Sequence, residues 1–396
     1  MEIQLSDRVQ RIQPSPTLAV TALAARLRAE GRDIVGLGAG EPDFDTPEHI
    51  KQAAIDALAR GETKYTAVDG TAGLKDAIIR KFERDNDLAF TADRILVSSG
   101  GKQSIFNLCQ ALLNPGDEVI VPAPYWVSYP DIALLAGARP VIVSASQEEG
   151  FKLRPETLEA AITDKTRLIF LNSPSNPTGA AYSRGELEAL AEVLRRHPQI
   201  VIATDDMYEH IRFGETEFVN IVNAAPDLLE RTVVLNGVSK AYAMTGWRIG
   251  YAGGPAGLIG AMKKIQSQST SNPTSIAQAA AEAALNGDQT CVRQMCSAFA
   301  QRARHVVDGL NAIDGIECRM PDGTFYCFPR VTGLMERAGI ESDVTLGEQL
   351  LDEAGVALVP GSAFGAPGHV RVSFATSLEM LDKALERLRE FAARRA

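Results

Sequence analysis

Six short apolar runs set the frame for this chain: RILVSSG (94–100), DEVIVP (117–122), RPVIVS (139–144), TRLIFLN (166–172), IVIATD (200–205) and TVVLNG (232–237). Each is rich in Val, Ile or Leu and barely interrupted by polar residues. A strand with one face in water alternates apolar and polar positions, whereas an unbroken run marks a parallel strand covered on both faces. Between the runs lie helical stretches at 101–113, 155–162 and 183–197. The alternation predicts an α/β domain around a mostly parallel sheet. In such a sheet, functional residues gather just past the carboxyl ends of the strands.

The texture changes near residue 290. A helix is expected over 290–312, followed by short strands near 316–319, 324–330, 356–360 and 369–375, and a final helix over 378–394. This pattern predicts a second, smaller α+β domain. The first 45 residues precede the first clear helix of the large domain and suit either unit. The boundaries drawn here give 46–290 to the large domain, and 1–45 with 291–396 to the small one.

Charge and composition exclude several functions. Forty Lys and Arg against 50 Asp and Glu leave a net charge of −10, which argues against a nucleic-acid partner. An anionic substrate must then be met by local cations. The cysteines at 109, 291, 296, 318 and 327 are odd in number and lack C-x-x-C spacing, so no disulfide framework is expected and a cytoplasmic setting is. The segment around Glu2 and Asp7 has no apolar stretch of signal-peptide type, and no run approaches the roughly 18 residues needed to cross a bilayer. The histidines at 49, 197, 210, 305 and 369 show no metal-ligand spacing, so no metal is expected. GLGAGEPDF (36–44) begins like a dinucleotide fingerprint but places Glu41 where a glycine is required. A P-loop ending at Gly101-Lys102 fails at Leu96 and Gln103.

The strand ends are richer. Gly100-Gly101-Lys102 opens a helix after the first run, exposing backbone N–H groups that suit an anion. Later ends carry Tyr125-Trp126, then SPSNPTG with Asn176, then Asp205-Asp206-Met207-Tyr208, then Ser239-Lys240. An anion cradle, an aromatic plate, an amide, a carboxylate with a phenol, and a lysine therefore share one rim. Lys240 stands among small residues with no acid nearby, and Arg248 follows eight positions later.

This set resembles the class I aminotransferases, pyridoxal phosphate enzymes of fold type I, and is most similar to their bacterial aspartate aminotransferase subgroup. GVSKAYAMTGWRIG (237–250) satisfies the family's attachment pattern, and SPSNPTG, DDMYEH, PYWVSYP and GEPDFDTP look like its other blocks. The likeness runs from about residue 8 to 394. It implies that Lys240 attaches the cofactor aldehyde and acts as base, a role helped by a desolvated, cation-flanked amine. Asp205 would hold the proton on the pyridine nitrogen, Asn176 and Tyr208 would bond the phenolic oxygen, and Trp126 would stack on the ring. Gly100, Gly101, Lys102, Ser239 and Arg248 would surround the phosphate, with Tyr65 reaching the phosphate of a partner subunit in a homodimer with shared sites. Arg371 would clamp the substrate α-carboxylate, with the Gly40 backbone opposite.

The implied reaction exchanges amino groups between aspartate or glutamate and their 2-oxo acids in a ping-pong cycle. Alternatives are an aspartate/prephenate aminotransferase or another aminotransferase of the fold, a lyase or decarboxylase, and a transcription regulator. The last is disfavoured by the charge and by a likeness that starts near residue 8. Two departures matter. Gly237 stands where some relatives have a phosphate-binding serine, and 263–275 offers no arginine for the substrate's distal carboxylate, leaving Lys102 as the expected substitute. Members that use prephenate carry a basic residue just before a Pro-Ser pair. Here Gln13 holds that place, so prephenate activity is expected to be weak.

Overall fold

The computed structural model describes residues 3–214 and 217–395. Its strands, in chain order, are β1 (Val35–Gly36), β2 (Ile95–Ser98), β3 (Glu118–Ala123), β4 (Arg139–Ser144), β5 (Thr166–Asn172), β6 (Val201–Asp205), β7 (Thr232–Gly237), β8 (Gly250–Gly253), β9 (Tyr326–Cys327), β10 (Val356–Ala357), β11 (Val359–Pro360) and β12 (Val370–Ser373). The second to eighth form one sheet in the order β2-β8-β7-β6-β5-β3-β4. Only β8 runs antiparallel to its neighbours. Every residue of β2 and β7 is buried, which explains their unbroken apolar runs. β4 lies at the edge and exposes Arg139 and Ile142.

The six expected strands form within a residue or two of their predicted bounds. The sheet's seventh strand, Gly-Tyr-Ala-Gly, had no β-branched signal. Its glycine is imposed by packing: a Cβ on Gly250 would overlap the backbone of Gly100 and Gly101. That close approach sets the start of the helix Gly101–Leu112 beside the β7–β8 connection, which carries Lys240 and Arg248.

A smaller unit packs the helices Thr290–Asn311, Asp343–Glu353 and Leu378–Ala393 around β9, β11 and β12. The expected strand at 316–319 does not form. Glu317 makes a single bridge to Arg330, while the Asn311 side chain satisfies both the N–H and the carbonyl of Cys318. The expected strand at 356–360 splits into β10 and β11, which belong to different sheets. The helix Pro16–Ala29 buries Ala24 and Leu27 against Leu351 and Ala357, and β1 pairs with β10. Residues 16–37 thus pack with the C-terminal unit and approach the rim of the large sheet.

Candidate active site

A cavity of about 410 Å³ opens at the carboxyl ends of β5, β6 and β7. Gly40, Gly101, Lys102, Trp126, Asn176, Asp205, Tyr208, Ser239, Lys240, Arg248 and Arg371 all line it. Gly100 lies directly behind, against Arg248. Tyr65 does not reach it and is 92% exposed.

Lys240 follows β7, and its Nζ donates to the Gly40 carbonyl at 2.6 Å. Burial, reinforced by Arg371, lowers its pKa to about 8. Among the described residues no carboxylate pairs with it, so nothing opposes its neutral form strongly.

Asp205 ends β6 and is only 7% exposed. Its Oδ2 accepts the Tyr129 hydroxyl proton at 2.6 Å, and its Oδ1 faces the Met207 N–H at 3.3 Å. Burial pushes its pKa up, while Tyr129, Met207 and Lys240 oppose that shift. Asp206 points away, into a pocket where Thr204 and Asn220 donate to it at 2.6 and 2.8 Å. Burial and Glu209 push its pKa up to about 7.

The turn that carries these residues is anchored from behind. Lys81, on the helix Ala72–Asn86, is fully buried and pairs with Glu209, whose oxygens also accept from Asn86 and Asn236 at 2.7 Å each. Asp85, Glu209 and His210 form the one metal-like cluster among the described residues, but Glu209 is already occupied by these donors. Lys81→Met strands the Glu209 charge in a dry interior and should cost about 3–5 kcal/mol of stability, read as a lower urea midpoint. An unchanged midpoint would contradict this anchoring.

Arg371, on β12, is 2% exposed and has no carboxylate partner among the described residues. Nη1 donates to Asn176 Oδ1 at 3.0 Å and Nη2 to the Gly38 carbonyl at 2.8 Å, whereas Nε is buried without a partner among the described residues. The rings of Tyr326 and Phe364 flank the guanidinium at 4.4 and 5.1 Å. The Gly38 carbonyl thus serves Arg371, while the Gly40 carbonyl serves Lys240. A buried, unneutralised cation with an unused donor is a place for a carboxylate.

The helix start beside Lys240 suits a second anion. Gly100 has φ +91°, and a Cβ there would overlap the Arg248 guanidinium, so glycine is needed for that side chain to lie over the N–H groups. Arg248 donates to the Thr245 carbonyl at 2.8 Å. A Cβ on Gly237 would come within 3.0 Å of the Ile249 carbonyl, so this backbone leaves little room for a serine. The Lys102 ammonium lies 5.0 Å from the centre of the Trp126 ring. An anion at the helix start, a flat ring near Trp126, a protonated ring nitrogen at Asp205 and a carboxylate at Arg371 can all be accommodated together.

Sequence reasoning missed several lining residues. Tyr129 lies within the quoted PYWVSYP block, and Tyr326 carried no motif. Asn172 bonds the Asn176 N–H and the Asp205 carbonyl, both at 2.8 Å. Ser15 and Thr17 enter from the start of the helix Pro16–Ala29, and Ser-Pro was a readable helix-start signal there. Gln13 is exposed and does not line the cavity.

The profile of the family described as "Aminotransferase class I and II" matches residues 32–388. An aspartate/prephenate aminotransferase of Nitrosomonas europaea is 61% identical, over 98% of this chain and 99% of that protein. The crystal structure of the aspartate aminotransferase from Rhizobium meliloti superimposes with a TM-score of 0.96 at 51% identity, covering 99% of this chain and 100% of that one. The aspartate aminotransferase from Thermus thermophilus with maleate gives 0.93 at 46% identity, over 98% and 100%.

Proposed function

This chain belongs to the class I and II aminotransferases, and from that premise we propose that it transfers the amino group of aspartate or glutamate to 2-oxo acids with pyridoxal phosphate as cofactor. One observation carries the reading: a lysine with a lowered pKa and a buried, unneutralised arginine open onto the same cavity as a buried aspartate. The donor set fits the cofactor. The glycine start of the helix Gly101–Leu112, with Arg248, would hold its phosphate, and Asp205 its ring nitrogen. Trp126 would lie on its ring, and Asn176 and Tyr208 would meet its phenolic oxygen. Bound there, pyridoxal phosphate supplies the aldehyde that accepts the amino group and a ring that absorbs electrons.

The residues then divide the work. Arg371 fixes the substrate α-carboxylate with donors already set in place, so the Cα hydrogen is presented to the lysine. Lys240 Nζ, neutral in part at pH 8, takes the Cα proton and returns it. Asp205 keeps a proton at the ring nitrogen, an interaction strengthened by burial. Tyr65 is the residue we assign to a partner subunit's phosphate site, and the exposed Ile55 and Leu58 on the helix Glu48–Ala59 suit the same homodimer face.

The second carboxylate of aspartate or 2-oxoglutarate meets Lys102, Ser15 and Thr17. Thr17 Oγ1 has no hydrogen-bond partner among the described residues. Maleate, named with the Thermus thermophilus relative, is likewise a dicarboxylate. Lys102→Ala should lower kcat/KM for aspartate by a factor equivalent to about 2–3 kcal/mol of transition-state stabilisation and leave alanine nearly unchanged. Equal losses for both amino acids would remove Lys102 from the specificity argument.

Prephenate is the second reading. It rests on the Nitrosomonas europaea relative and on a hydroxyl-lined wall that does not depend on Gln13. A panel of donors and acceptors, followed by the absorbance change of the cofactor in each half-reaction, tests both. Aspartate with 2-oxoglutarate is expected to lead, and Gln13→Lys, outside the cavity, to change prephenate use little. Prephenate turnover matching 2-oxoglutarate would place the second reading first. Products of decarboxylation or elimination would overturn both.

A further inference from the structure

Tyr326 opens β9 and is fully buried. Among the described residues its hydroxyl has one hydrogen-bond partner, the Tyr208 hydroxyl at 3.3 Å. Its ring backs Arg371, and its oxygen crowds Gly40, where a Cβ would come within 3.2 Å. Burial raises the pKa of both phenols, so both stay protonated at neutral pH. Two buried hydroxyls that share one hydrogen bond hold two protons, and one proton is left over. Buried donors rarely go unmatched, so the spare proton must be directed at the cavity that both residues line. Tyr208 stands three residues past Asp205 on the turn after β6, whereas Tyr326 sits in the smaller unit beside Arg371.

We propose that Tyr326 is a positioning residue. Its hydroxyl donates to the Tyr208 oxygen, which turns the Tyr208 proton toward the cofactor's phenolic oxygen. The inference rests on the cofactor reading given above. A donor that itself receives a hydrogen bond is polarised and donates more strongly. The two-tyrosine relay also ties the smaller unit to the turn that carries Asp205.

The test compares Tyr326→Phe, Tyr208→Phe and the double variant, each loaded with pyridoxal phosphate and titrated against pH by absorbance, without substrate. A donor at the phenolic oxygen competes for the proton shared between that oxygen and the Lys240 nitrogen. Losing the donor therefore moves the titration midpoint to higher pH. Tyr208→Phe should raise it by about one unit, on the scale of a hydrogen bond to a charged group. Tyr326→Phe should raise it by a few tenths of a unit, the cooperative share, and should add nothing once Tyr208 is Phe. No shift in Tyr326→Phe beside a clear shift in Tyr208→Phe overturns the relay, even if KM rises through Arg371. A Tyr326→Phe shift that persists in the double variant also overturns it. If Tyr208→Phe itself moves nothing, the placement of Tyr208 at the cofactor fails, and the relay fails with it.

Discussion

Replacing Lys240 with alanine stops amino transfer, with turnover falling by about 10⁴-fold or more, while the fold and non-covalent cofactor binding persist. Alanine removes both a nucleophile and a base, and a positioned base alone contributes roughly 10²–10⁴-fold. The phosphate cradle and Asp205 remain, so affinity for pyridoxal phosphate falls far less than turnover. The lowered pKa of the lysine gives a second signature. Its pKa is 10.5 in the unfolded chain and about 8 in the folded one. Between those values the unfolded chain binds more protons, so the stability linked to Lys240 rises as pH rises from about 8 to 10.5 and is missing below 8. The alanine variant of the cofactor-free protein should lose that slope. Attachment of pyridoxal phosphate to the natural protein should speed up as pH rises through about 8, because only the neutral amine attacks. A variant that keeps more than a hundredth of the activity would contradict the assignment.

Asp205→Asn should keep the fold and lose on the order of 10³-fold in turnover, because an amide cannot hold a proton at the ring nitrogen. Asp206→Asn is the control, since its side chain faces Thr204 and Asn220 rather than the cavity. Its activity should change little, but its stability profile should change. The Asp206 pKa is 3.8 unfolded and about 7 folded. The stability it contributes is thus full below pH 3.8 and is lost as pH rises to about 7, and Asp206→Asn should abolish that slope. Single-turnover rates and urea midpoints across pH measure both effects. A more severe kinetic loss in the Asp206 variant would reverse the roles of the two neighbours.

The strand framework was readable because burial on both faces leaves an unbroken apolar run, a local and strong signal. β8 was unreadable because close contact with Gly100 and Gly101 forces glycine into a strand, erasing its β propensity. β9 to β12 span two to four residues, too short for a periodic pattern. Lys240, Asp205 and Asn176 were singled out because each lies at or just past the end of a strand and in a recognisable block, and Arg248 because it stands in the same block as Lys240. Tyr129 and Tyr326 were not, because their bonds reach Asp205 and Tyr208 across 76 and 118 residues and leave no local spacing. Ser15 and Thr17 were passed over in favour of Gln13, whose exposed side chain stays outside the cavity. Arg371 was singled out through the family likeness, but its stacking between Tyr326 and Phe364 appears only in the folded chain.

The central claim is that Lys240 carries the cofactor. Borohydride reduction of the protein loaded with pyridoxal phosphate, followed by peptide mapping, tests it directly. One labelled peptide, bearing the group on Lys240, is the predicted result, and the Lys240→Ala protein should give none. A label on Lys102, Lys263 or Lys264 in place of Lys240 would contradict the account.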